Sequence, residues 1–136
     1  MQLGTFGAIL SFSIELETQA ADYYEAAFEI GFDPIYSKMA KGARKRVKRL
    51  ERTRRELVAE MILESITGLD DDNYSINPKS SSNPDVLLSG ALTIEKNAHQ
   101  FYKDAEVKMP IKEVSRIFNR LARENDRNIT QLEKSL

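Results

Sequence analysis

The chain has no cysteine, which excludes disulfides, thiolate metal sites and cysteine-ligated iron–sulfur centres. It has one histidine, His99. No run of apolar residues is long enough to span a bilayer, so no membrane segment is expected. Met1–Leu10 carries no basic residue and no small-residue cleavage site. It reads as the entry to a first helix rather than a signal peptide, with a cytoplasmic location as the default expectation. Positive charge is missing from the whole of residues 1–37, which hold Glu15, Glu17, Asp22, Glu25, Glu29 and Asp33 but no Lys or Arg.

The missing charge reappears downstream. Residues 41–55 contain nine basic side chains opposed only by Glu51, although the net charge of the chain is −1. A basic stretch this dense can mark a nucleic-acid or anion contact. In a chain that is not basic as a whole, the simpler account pairs an acidic helix with a basic antiparallel neighbour. A nucleic-acid partner is therefore not expected, and an anion or nucleic-acid contact on the 41–55 face stays as a third alternative.

The second half of the sequence resembles the first. Leu16-Glu17-Thr18-Gln19-Ala20-Ala21-Asp22-Tyr23-Tyr24 returns as Ile94-Glu95-Lys96-Asn97-Ala98-His99-Gln100-Phe101-Tyr102, with Ala27 and Ala105 closing the two copies. Further on, Tyr36, Met39, Ala40, Val47, Leu50 and Glu51 align with Phe118, Leu121, Ala122, Ile129, Leu132 and Glu133. Such self-similarity indicates a duplicated helical hairpin.

Helical periodicity and capping signals divide the chain into four helices within one domain, residues 1–136, large enough to bury a core. The first is expected from about Phe6 to Ile30 with Thr5 as N-cap. Gly31-Phe32-Asp33-Pro34 stops it and starts the second, which the apolar stripe carries to about Thr67, with Gly68 ending it. Asp70-Asp71-Asp72, Asn77-Pro78 and Ser80-Ser81-Ser82-Asn83-Pro84 are turn formers with few apolar anchors. A third helix is expected from about Asp85 to Val107, and a fourth from Ile111 to the C-terminus. Short connections at 31–33 and 108–110 make hairpins of 5–68 and 85–135. The sixteen residues of 69–84 can span roughly 50 Å, enough to cross a bundle and set helices 2 and 3 parallel. Helix 2 would then overhang its partners by roughly 15 Å. Leu57, Val58, Met61, Ile62 and Leu63 would need cover there, so a homodimer is expected.

Two carboxylates interrupt the apolar stripes at equivalent positions: Glu17 between Ile14 and Ala21, and Glu95 between Ala91/Leu92 and Ala98/Tyr102. A buried ionised carboxylate is costly unless a metal or another cation meets it. The repeated Glu-x-x-Ala-x-x-(Tyr/Phe)-Tyr pattern, over roughly residues 6–135, resembles the rubrerythrin-like branch of the ferritin-like superfamily. That resemblance implies an all-α, ferritin-like four-helix bundle of two antiparallel hairpins joined by a long crossover. In the family, helices 1 and 3 each give one Glu, and helices 2 and 4 each give a Glu-x-x-His pair. These hold two irons that react with peroxide or oxygen.

Glu17 and Glu95 match the helix 1 and helix 3 ligands. Helix 2 has Ala43 and Arg46 where the pair should stand, and helix 4 has Asn125 and Asn128. Alanine offers no donor atom, arginine is a permanent cation and amides are poor iron ligands. The former metal-site core is thus Glu17, Ala43, Arg46, Glu95, Asn125 and Asn128. Arg46 is expected to lie between Glu17 and Glu95 and stand in for the metal's charge, its planar fork able to serve both, with the two asparagines completing the hydrogen bonds. His99, one turn after Glu95, leaves a residual metal site of Glu17, Glu95 and His99 open, and a register shift of helix 4 could add Glu124 or Asp126. Tyr23, Tyr24, Phe101 and Tyr102 resemble core aromatics. The expectation is a non-catalytic bundle with a structural or protein-interaction role and no cofactor. The alternative is an atypical metal-binding oxidoreductase using iron, in iron or peroxide handling.

Overall fold

A computed structural model of the chain describes residues 1–57 and 65–135. Four helices make up the fold: α1 (Phe6–Gly31), α2 (Pro34–Glu56), α3 (Pro84–Lys108) and α4 (Lys112–Glu133). The caps follow from the sequence. The Thr5 hydroxyl accepts from Ala8 N, Asp33 caps α2 ahead of Pro34, and Asn83 caps α3 ahead of Pro84. Each side chain satisfies an amide that the first helical turn leaves unpaired, and proline at the first position loses nothing because its missing N–H has no helical partner. The left-handed residue ending α1 is Phe32, φ 56°, and not the neighbouring Gly31.

α1 packs on α2 and α3 on α4 along their lengths, and α1 meets α3. Cross-helix pairs fix the directions. Going up α1, Phe12 meets Phe101, Glu17 meets Tyr102, Tyr24 meets Glu95 and Tyr23 meets Leu87 of α3. The first half of α1 thus meets the second half of α3 and the second half meets the first, so α1 and α3 are antiparallel and α2 and α3 run parallel. Parallel helices cannot be joined by a tight turn, so the connection after α2 must traverse the bundle.

α2 is shorter than its periodicity suggested. It ends at Glu56, where the Leu57 N–H donates to Thr53 O, and Ser65–Thr67 are not helical. Tertiary pairing overrides the helical pattern here: Ile66 N donates to Gly4 O and Leu3 N to Leu69 O, laying the segment beside the N-terminal residues. Ile66 and Leu69 are buried in the core cluster at this end. Burying a leucine or isoleucine contributes about 1.5–3 kcal/mol, more than the weak helical preference it displaces. Leu57 is half-buried against the same cluster. Val58, Met61, Ile62 and Leu63, on which the expected overhang and dimer face also rest, lie outside the described residues.

The crossover is also better anchored than its composition suggested. Tyr74 is buried edge-on against Phe101, its hydroxyl donates to Asp104, and its carbonyl accepts from Asn97 Nδ2. Among the described residues, no helix is long and apolar enough to cross a membrane.

Two apolar clusters fill the bundle. One gathers Leu10, Leu16, Leu50, Phe101 and Phe118, and the other Ala21, Tyr24, Tyr36, Met39, Leu88 and Leu132. The duplication is visible in their packing. Tyr24 stacks on Tyr36 at 6.3 Å, and the equivalent Tyr102 stacks on Phe118 at 6.1 Å. Between the clusters, every helix contributes a buried polar residue: Glu17, Arg46, Glu95 and Asn125.

Candidate functional site

Glu17 and Glu95 are the centre of this polar layer, at 2% and 1% exposure. Glu17 Oε2 accepts from Arg46 Nε at 2.8 Å, and Oε1 accepts from the Tyr102 hydroxyl at 2.8 Å. Glu95 Oε2 accepts from the Tyr24 hydroxyl at 3.0 Å, while Oε1 accepts from Asn128 Nδ2 at 2.7 Å and Asn125 Nδ2 at 3.3 Å. Each carboxylate therefore takes a phenol from the helix that carries the other. Tyr24 lies seven residues after Glu17 and Tyr102 seven after Glu95, two helical turns along the same face. The tyrosines were legible as aromatics only. The Glu-x6-Tyr spacing, present in both copies, is the signal that would have found their role.

The two halves differ in what faces the carboxylates from α2 and α4. Ala43 is buried and donates nothing. Arg46 bonds directly to Glu17 alone, so the guanidinium does not bridge both carboxylates as expected. Its Nε is committed to Glu17, and the two asparagine amides saturate the near oxygen of Glu95. Arg46 Nη2 and Asn125 Oδ1 are buried without a hydrogen-bond partner among the described residues.

The electrostatics follow from these contacts. Burial works against the Arg46 charge, but Glu17 and Glu95 outweigh it and hold the guanidinium above its ordinary pKa. Burial raises the Glu95 carboxyl above the ordinary carboxylate range, and the Glu17 charge adds to this. Arg46 and the amides of Asn128 and Asn125 oppose it. The phenols of Tyr24 and Tyr102 are pushed well up, by burial first and by the neighbouring carboxylates second, so both keep their protons and remain donors.

The remaining candidates are placed elsewhere. His99 is half-buried on the α3–α4 flank, its Nε2 3.1 Å from Asp126 Oδ1, and no other carboxylate reaches it among the described residues. It is not brought to Glu95, whose oxygens face inward to Tyr24 and the two asparagines. Glu124 pairs with Arg49 and ties α4 to α2. The acidic and basic helices do meet, through Arg44 with Asp22 and Glu25 and through Arg46 with Glu17. Only part of the α2 charge is used in this way.

A pair of irons does not fit this donor set. A guanidinium stands 2.8 Å from one of the two matching carboxylates, and the other is turned toward N–H and O–H donors. Among the described residues, the one cluster of three metal-capable side chains is Asp70, Asp71 and Asp72, far along the chain from this layer and already engaged with the Met1 amino group.

A cavity of about 320 Å³ opens between α1 and α3 beneath the crossover segment. Ala20, Ile94 and Ala98 wall it, and it reaches Glu17 and Glu95. Among the described residues, no basic side chain lines it. No protein-family model matches the chain, and no curated protein or solved structure matches it significantly.

Proposed function

We propose that the chain is a non-catalytic, rubrerythrin-like member of the ferritin-like bundles, in which an internal ion pair and an amide pair replace the di-iron centre. Its role is then structural or interactive. The observation that carries this reading is the buried Arg46–Glu17 contact of 2.8 Å, at the position where a metal would need an anionic ligand. Ala43 and the donor-facing amides of Asn125 and Asn128 support it, because each removes a ligand that iron chemistry requires.

The test is metal content. The protein is reconstituted anaerobically with excess iron, manganese or zinc, desalted and assayed. Near-zero stoichiometry is expected. About two metals per chain, lost in the Glu17→Ala/Glu95→Ala double variant, would overturn the reading.

One observation favours a second reading, an atypical metal-binding protein in iron handling. The α1–α3 cavity gives a small cation a path to both carboxylates without passing a basic side chain. The same assay decides it, since that reading requires at least one retained metal. A homodimer remains part of the proposal, resting on the apolar sequence of Leu57, Val58, Met61, Ile62 and Leu63. Light scattering of the purified chain tests it, with a monomer mass counting against it.

A further inference from the structure

Three of the six arginines of α2 find acidic partners among the described residues, and none of its lysines does. Arg44 takes Asp22 and Glu25, Arg46 takes Glu17 and Arg49 takes Glu124. Lys38, Lys41 and Lys45 have no salt-bridge partner among the described residues, and all three are exposed. Their spacing of three and four puts them on one face of the helix.

That face borders a groove of about 660 Å³ between the first half of α2 and the end of α4. The three lysines and Arg46 line it, Asn128 and Gln131 line it from α4, and no acidic side chain does. Gly42 belongs to the same surface, and the absence of a side chain there matters. A Cβ at Gly42 would sit 3.3 Å from Arg46 Nη1, so glycine leaves the guanidinium edge uncovered from this side. Arg46 itself is 5% exposed, and Nη1 is the guanidinium nitrogen on the Gly42 side. The guanidinium edge of Arg46 in the groove wall, with three ammonium groups that have no salt-bridge partner among the described residues, forms a receptor for an anion with several oxygens.

The far end of the groove is aromatic. Phe28 and Phe32 line it, edge to face at 5.7 Å, and Phe32 is 68% exposed. An exposed phenylalanine beside a cationic groove offers a stacking surface for a flat ring.

We propose that this groove binds a small phosphorylated molecule carrying an aromatic ring, of the mononucleotide class. The phosphates lie on Lys38, Lys41, Lys45 and Arg46, and the ring lies against Phe28 and Phe32. The site uses the outer edge of the Arg46 guanidinium, while its Nε stays on Glu17. It goes beyond the non-catalytic reading, since it supplies a ligand to a bundle whose core holds none.

Isothermal titration of the full chain with ATP, tripolyphosphate and adenosine tests the assignment. ATP binds, tripolyphosphate binds more weakly and adenosine alone does not. ATP affinity falls steeply with added salt, as phosphate contacts require. Lys41→Glu/Lys45→Glu, two exposed positions, weakens ATP by about tenfold or more while the circular dichroism spectrum is unchanged. Phe32→Gly weakens ATP but leaves tripolyphosphate as it was. Absence of ATP binding, or binding indifferent to the lysine reversal, would overturn the proposal. So would tighter binding of a single-stranded oligonucleotide through the same lysines, which would make the groove a nucleic-acid contact. Metal content read on the same samples reports on the core, so the core reading and the groove reading fail separately.

Discussion

Replacing Arg46 with methionine isolates the energetics of the polar layer. The side chain keeps its length and apolar stem but loses its charge, leaving Glu17 with Tyr102 as its single donor inside a site 2% exposed. Removing one partner of a buried pair costs about 3–5 kcal/mol, because the other charge is left uncompensated. Both members of this pair are nearly fully buried, so solvent screening does not reduce the figure. The loss should depend on pH. The Glu95 carboxyl already titrates above its ordinary 4.5 in the folded protein, with Arg46 among the influences holding it down. A raised folded pKa means that the native state keeps a proton the unfolded chain has released. The Glu95 contribution is therefore present below 4.5 and is lost as pH rises through the higher folded value. Without Arg46 that folded value moves further up, so Arg46→Met should be least destabilised near pH 5 and most near about pH 8. Urea unfolding followed by circular dichroism measures this. Adding Glu17→Gln, which keeps an acceptor for Tyr102, should recover most of the loss in a double-mutant cycle. A penalty under about 1 kcal/mol near pH 8, or one of equal size at every pH, would refute the ion-pair account.

Tyr24→Phe and Tyr102→Phe each remove a phenol from a buried carboxylate, so each should lower stability by about 1.5–3 kcal/mol in urea, and by similar amounts given their equivalent positions. Gly90→Ala should cost about 1–3 kcal/mol, because its Cβ would fall 2.2 Å from the Tyr23 hydroxyl and push it off Leu87 O. Tyr23→Phe in the same chain should relieve part of that clash, and thermal unfolding would show the rescue. Phe32→Gly should raise stability by up to about 1 kcal/mol by relieving the left-handed backbone at φ 56°, and an unchanged or lower melting temperature would count against it. The fall in stability above pH 4.5 assigned to Glu95 should be absent from Glu95→Gln and so appear in the difference between wild type and variant, and a flat difference curve would count against it.

Much of the architecture could be read from local signals. Thr5 and Asp33-Pro34 announce their helix starts because capping is a contact between near neighbours, whereas Asn83-Pro84, read as a turn, caps α3 in the same way. Glu17 and Glu95 stood out because a charge in an apolar stripe breaks a short-range pattern. Long-range contacts were less visible. The end of α2 at Glu56 depends on Ile66 and Leu69 pairing with Gly4 and Leu3, more than sixty residues away in sequence. Arg46 bonds Glu17 and not Glu95, whose near-side acceptor is taken by the two amides that α4 delivers. Phe32 takes the left-handed position that Gly31 would accept more cheaply, and no sequence rule predicts that choice.

The single buried cation has a consequence for assembly. In a duplicated chain, either hairpin could in principle dock on a copy of itself. Two copies of α3–α4 would bring together a pair of Glu95 carboxylates surrounded by amides, with no positive charge among them. Two copies of α1–α2 would place two Arg46–Glu17 pairs in one core, balanced in charge. The mixed pairing sets one arginine beside two carboxylates. The divergence of Arg46 from Asn128 thus disfavours pairing of α3–α4 with its own copy, which would leave two carboxylates without a cation.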